Sequence, residues 1–82
     1  MKDTLDDFRI DFSIKRQLGF TYNGEEYFID GSGKDYIDVY NMKNPDVIIF
    51  TFNDVEAFIN AKIFNGRSFS DIIPEIQDMC YW

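Results

Sequence analysis

Asn23-Gly24 lies between two stretches of alternating apolar residues, and this feature restricts the fold more than any other in the chain. Before it, Leu18, Phe20 and Tyr22 alternate with Gly19 and Thr21; after it comes Glu25-Glu26-Tyr27-Phe28-Ile29-Asp30. Both turn residues tolerate positive φ, which a two-residue hairpin needs at its central positions. An antiparallel pair is therefore expected here. Gly31-Ser32-Gly33-Lys34 makes a second turn, and Asp35-Tyr36-Ile37-Asp38-Val39-Tyr40 a third strand. After a break at Asn44-Pro45-Asp46, Val47-Ile48-Ile49-Phe50-Thr51-Phe52 reads as a fourth. It is the most apolar strand, so a central or doubly covered position is expected for it.

Helices are expected on either side of this meander. Thr4 is a candidate N-cap with Asp6 and Asp7 in the first turn, and Leu5, Phe8 and Phe12 recur at i, i+3 and i+7. This predicts a short helix over 4–13. A strand reading competes, because Phe8, Ile10, Phe12 and Ile14 also alternate with polar residues. Asn53 with Glu56 marks a second start; Val55, Phe58, Ile59 and Ile63 share a face, and Asn65-Gly66 is a stop. Ser68 caps a last helix with Asp71 at its third position and Phe69, Ile72, Ile73 and Ile76 on one face, and Pro74 is placed either to kink it or to push its start later. The expected fold is α+β in a single domain over 1–82. It comprises an N-terminal helix, a four-stranded antiparallel β-meander and two C-terminal helices packed on one sheet face. The apolar tail Met79-Cys80-Tyr81-Trp82 is expected to cap the core or to form a contact between copies.

The chain has 15 acidic and 8 basic residues in 82, a net charge of −7. The surplus is central: eight acids face two lysines between residues 25 and 56. Such a surface disfavours direct contact with nucleic acid and with anionic membranes, and favours a basic protein partner. It also serves solubility in a chain that is 45% hydrophobic. One cysteine excludes an internal disulfide and argues against a zinc site. The acidic N-terminus does not read as a signal peptide and no apolar run is long enough to span a bilayer, so a cytoplasmic location is expected by elimination.

The residues give little support to catalysis. With no histidine in the chain, imidazole bases, nucleophile–histidine pairs and imidazole metal ligands are excluded. Cys80 reads as a packed core residue. Gly31-Ser32-Gly33-Lys34 lacks phosphate-loop spacing and precedes a strand, so a hairpin turn is the better reading. Asp30, Ser32 and Lys34 fail as a calcium loop, since lysine replaces an oxygen ligand. Glu25-Glu26 and Asp6-Asp7 are sequence neighbours that splay apart and do not face each other across a cleft. No catalytic residue, metal or cofactor is assigned.

One face carries the binding reading. If Tyr27 and Ile29 face the core from the second strand, Glu26, Phe28 and Asp30 face away. If Ile37 and Val39 do so from the third, Tyr36, Asp38 and Tyr40 face away. With Asp35 beside them, these are the candidate partner-binding residues: aromatic anchors interleaved with carboxylates suited to Arg or Lys. The same aromatics could instead lie beneath a helix or pair across strands for stability.

The segments Phe20-Thr21-Tyr22-Asn23-Gly24-Glu25-Glu26-Tyr27 and Ala61-Lys62-Ile63-Phe64-Asn65-Gly66-Arg67-Ser68-Phe69-Ser70-Asp71-Ile72-Ile73 resemble those of small acidic proteins of bacterial phages and mobile elements. That group has an aromatic hairpin around a Gly turn, a further strand, then a helix ending in an Ile-x-x-Gly-x-Ser segment. The resemblance implies a shared fold and a genomic setting in which inhibitors of host or rival machinery are common; it carries over no catalytic residue. The expected function is a non-enzymatic inhibitor, anti-CRISPR-like or anti-restriction-like, occupying a basic nucleic-acid-binding surface of a target protein. The alternatives are an immunity protein against a nuclease toxin and a homodimeric structural module. Either a monomer or a homodimer is compatible with the chain.

Overall fold

Asn23 and Gly24 adopt φ of 54° and 78°, the left-handed pair that a tight hairpin turn requires. The computed structural model describes residues 5–32 and 35–82. The turn joins β1 (Gln17–Tyr22) to β2 (Glu25–Asp30), with Leu18 opposite Ile29 and Phe20 opposite Tyr27. β3 (Ile37–Asn41) and β4 (Ile48–Phe52) continue the meander. A fifth strand, β5 (Gln77–Tyr81), pairs antiparallel with β1 on its other side. The sheet order is β4-β3-β2-β1-β5. The fold is α+β as expected, with one strand more than the four anticipated. The apolar tail is that strand: Met79 and Tyr81 turn towards the core while the alternate residues face outward.

Helix α1 spans Leu5–Lys15. Phe8 and Phe12 are fully buried while Ile10 and Ile14 are exposed. That separation is what a period of 3.6 produces, and a strand would have put all four side chains on one face. Arg16 ends the helix with φ 69°. Its guanidinium lies 5.3 Å from the centre of the Phe12 ring, and its Nε donates to the Gly31 carbonyl at 3.1 Å. The expected cap Thr4 and the turn residues Gly33 and Lys34 lie outside the described residues.

Helix α2 is short, Val55–Asn60, and its N-cap is Asp54, not Asn53: the Asp54 carboxylate accepts from the Ala57 amide at 2.7 Å. The helix also ends earlier than its sequence suggests. Asn65 and Gly66, at φ 54° and 80°, form a tight turn of their own, closed by reciprocal hydrogen bonds between Phe64 and Arg67 at 3.0 Å. An Asn-Gly pair satisfies either a helix stop or such a turn, and here the second arrangement buries Phe64 completely. Helix α3 (Phe69–Ile72) has the expected capping box. The Asp71 amide donates to Ser68 Oγ at 3.2 Å, and the Ser68 amide donates to the Asp71 carboxylate at 3.1 Å. At Pro74 the chain tightens into a single 3₁₀ turn, Ile73–Glu75.

These helices pack on one face of the sheet. Phe69 is the hub, with its ring centre 4.7 Å from that of Phe8, 5.0 Å from Phe58 and 5.6 Å from Phe20. Leu18, Ile29, Ile37 and Val39 complete the buried layer from the sheet side.

Two further expectations are overturned. β4 is neither central nor doubly covered: it is an edge strand, with Ile48 49% exposed and Ile49 and Phe50 each 41%, and Val47 just before it 52% exposed. Phe52 is the residue of that strand held down, against Phe58 at 6.0 Å. α2 is too short to cover the rest, because the chain leaves the helix at Ala61. Cys80 is also not a core residue. It pairs with Gly19 across β5 and β1, and its thiol is free and exposed. The alternation that buries Met79 and Tyr81 turns Cys80 outward.

Candidate functional site

The second face of the sheet is the site's platform. Leu18, Phe20 and Tyr22 enter the core from β1, so Gly19 and Thr21 lie on the opposite face. By the same alternation β2 presents Glu26, Phe28 and Asp30 there, and β3 presents Asp38 and Tyr40. The register sets Phe28 opposite Tyr40 and Asp30 opposite Asp38.

Three aromatic residues form a row across this face. The Phe28 ring is 6.1 Å from that of Tyr40 on one side and 5.8 Å from that of Trp82 on the other, the latter at an interplanar angle of 66°. Trp82 follows β5 and is anchored by its amide, which donates to the Gln17 carbonyl at 3.0 Å. The indole then lies over Gly19; a Cβ at that position would come within 2.8 Å of two indole carbons. Glycine in mid-strand commonly marks such a close approach. Between this row and the rim of the sheet is a groove of about 320 Å³, lined by Gly19, Thr21, Glu26, Phe28, Asp78 and Trp82, with Met42 at one end.

The acidic residues divide into two groups by what they touch. Glu25 forms an ion pair with Lys43 and accepts from Asn41 Nδ2 at 2.9 Å, and these contacts, Lys43 first, hold its carboxyl below the usual range. Glu56 is held low by Arg9, 2.9 Å away. Asp54 and Asp71 cap helices, and Glu75 pairs with Arg67 at 2.7 Å. These five are accounted for by the fold. On the open face, Asp30 accepts from the Ser32 hydroxyl at 2.7 Å, and Asp38 from Thr51 Oγ1 at 3.0 Å. Like charges directly across an antiparallel pair disfavour the sheet locally, so the Asp30–Asp38 arrangement is one a cation relieves. Tyr40 records this environment. Burial of its ring and then the charges of Asp38 and Asp30 raise its phenol above the ordinary value.

Five of the expected binding residues therefore come together: Glu26, Phe28, Asp30, Asp38 and Tyr40. The described helices lie on the opposite face, so these aromatics are not beneath a helix, and Phe28 and Tyr40 do pair across strands. Asp35 and Tyr36 precede β3 and are exposed. Asp35 does not join the row; it lines a separate cleft of about 300 Å³ with Arg16, Asn53, Asp54 and Val55. Gly19, Thr21, Met42, Asp78 and Trp82 were not anticipated. The alternation of β1 already placed Gly19 and Thr21 outward, and glycine within an apolar strand was the available signal. Nothing local indicated that Trp82 would fold back over it.

Among the described residues, no group of three or more His, Cys, Asp or Glu is arranged to hold a metal ion, and no helix is long and apolar enough to cross a membrane. Comparisons with protein-family models, curated proteins and solved structures found no match to this chain.

Proposed function

We propose that this chain is a non-enzymatic binding protein whose open sheet face engages a basic surface of another protein, and that it inhibits its target by occupying a surface otherwise used for nucleic acid. The observation carrying this reading is the aromatic row Tyr40–Phe28–Trp82 flanked by Glu26, Asp30 and Asp38 on the face opposite the helices. Long-range attraction by the −7 chain steers a basic partner to the face. The aromatics then supply contact area with little conformational entropy to lose, and carboxylates stand where phosphates would. Anti-CRISPR-like, anti-restriction-like and nuclease-immunity roles are the settings in which this reading places the chain.

The test is capture of partners from nuclease-treated host lysate on the tagged protein, with elution by a salt gradient, followed by affinity measurement on the purified partner. A basic nucleic-acid-binding protein should bind the wild type. The triple variant Glu26→Gln, Asp30→Asn, Asp38→Asn should lose about tenfold or more in affinity, whereas Asp35→Asn should leave binding unchanged. Equal binding by the triple variant removes the electrostatic reading.

A second reading, self-association, is favoured by one observation, the exposed apolar edge of β4. An edge strand is a template for pairing with a copy of itself about a two-fold axis.

A further inference from the structure

Within the open face, the groove beside Trp82 has a specific chemistry. Two aromatic rings line it, Phe28 and Trp82, with their planes 66° apart. Its rim carries two carboxylates from different strands, Glu26 of β2 and Asp78 of β5. Neither carboxylate has a hydrogen-bond or ion-pair partner among the described residues, in contrast to Glu25, Glu56, Asp71 and Glu75. Asp78 is held in the left-handed region at φ 54°, beside an irregularity in the pairing of β1 and β5. Glycine at position 19 keeps the floor low enough for the indole to lie across it.

We propose that this groove is a receptor for one arginine side chain of a basic protein partner. Resting on the binding reading above, it assigns that reading's anchor point. A guanidinium is planar and weakly hydrated. It stacks on an aromatic face while its in-plane N–H groups fork to carboxylates. The groove offers both at once: aromatic rings and two unengaged carboxylates in its lining. A lysine ammonium is a point charge that uses the carboxylates but gains less from the flat indole. The volume of about 320 Å³ suits one side chain and is small for a folded element.

The experiment is a titration of ¹⁵N-labelled protein with the blocked tripeptide Gly-Arg-Gly, read by amide and indole shifts and by the fluorescence of Trp82, the only tryptophan in the chain. Saturable shifts are expected at Gly19, Thr21 and Trp82, with a Kd of about 1–10 mM for one exposed side chain. The citrulline tripeptide, of the same shape without charge, should give no saturable shift, and the lysine tripeptide should bind about threefold or more weakly. The double variant Glu26→Gln, Asp78→Asn should weaken the arginine tripeptide about fivefold or more; asparagine tolerates the left-handed backbone at 78. Equal binding of citrulline or lysine, or an unaffected double variant, overturns the assignment. Shifts confined to Asp38 and Tyr40 overturn the groove while leaving the basic-partner reading intact. Absence of any shift with a longer arginine-rich peptide overturns both.

Discussion

The Trp82 indole lies against the bare backbone of Gly19, so close that a single methyl group there would be 2.8 Å from two of its ring carbons. This contact attaches the last aromatic of the open face to the second strand from the edge. It joins Trp82 to Phe28 and makes one wall of the groove.

Gly19→Ala should displace that indole without unfolding the chain. The atoms met are the far end of a side chain that is 56% exposed and can swing outward. Tryptophan emission should move to longer wavelength, while stability changes by less than about 1 kcal/mol, since a smaller unfolded-state entropy offsets part of the lost contact. An unchanged emission spectrum would show that the indole does not rest on Gly19 in solution.

The β4 edge should behave as an adhesive surface. Val47 and Ile48 are half exposed on a strand with no charged residue from Val47 to Phe52. Lysine is the usual protection for such an edge. Val47→Lys and Ile48→Lys should each lower the apparent mass at high concentration, measured by light scattering across a dilution series, with far-UV circular dichroism preserved. Mass that is independent of concentration in the wild type would argue against self-pairing at this edge.

Phe69 should be the least replaceable aromatic. It is fully buried among Phe8, Phe20 and Phe58. Phe69→Ala should cost about 3–5 kcal/mol, comparable with the total stability of about 4–12 kcal/mol expected for a chain of this length. Near-UV circular dichroism should collapse. Phe50→Ala, at the exposed edge, should cost less than about 1 kcal/mol. Similar denaturation midpoints for the two variants would contradict the position of the core.

Acid should destabilise the fold in a narrow window. Asp71 is held low chiefly by the Ser68 amide, Glu25 chiefly by Lys43 and Glu56 chiefly by Arg9. Each binds its proton less readily folded than unfolded. Each therefore contributes stability that is present above the ordinary carboxylate range and lost as pH falls through the depressed folded values. With no histidine in the chain, the urea midpoint should be level between about pH 5 and 7 and decline below about pH 4. Ser68→Ala, which removes the capping hydroxyl, should lower stability by about 1 kcal/mol at neutral pH. A midpoint rising on acidification would reverse the sign assigned to these carboxylates.

The contrasts between expectation and structure follow the range of the interactions involved. The Asn23-Gly24 hairpin, the Ser68–Asp71 capping box and the outward alternation of Glu26, Phe28, Asp30, Asp38 and Tyr40 were legible in sequence, because each depends on residues within a few positions of one another. The choice between Asn53 and Asp54 as cap, and between a helix stop and a tight turn at Asn65-Gly66, was not. In each case the local options are close in energy and burial of Phe58 and Phe64 decides. The apolar run of β4 suggested a buried strand, yet strand order depends on which edges remain open after the tail has paired with β1. The same event places Cys80 outward and Trp82 over Gly19. Sequence by itself determined the hairpin, the Ser68 capping box and which residues of β1 to β3 share a face, since backbone sterics and side-chain period act locally. Only tertiary structure decided the edge, the groove and the company of Trp82, since those depend on packing between segments some sixty residues apart.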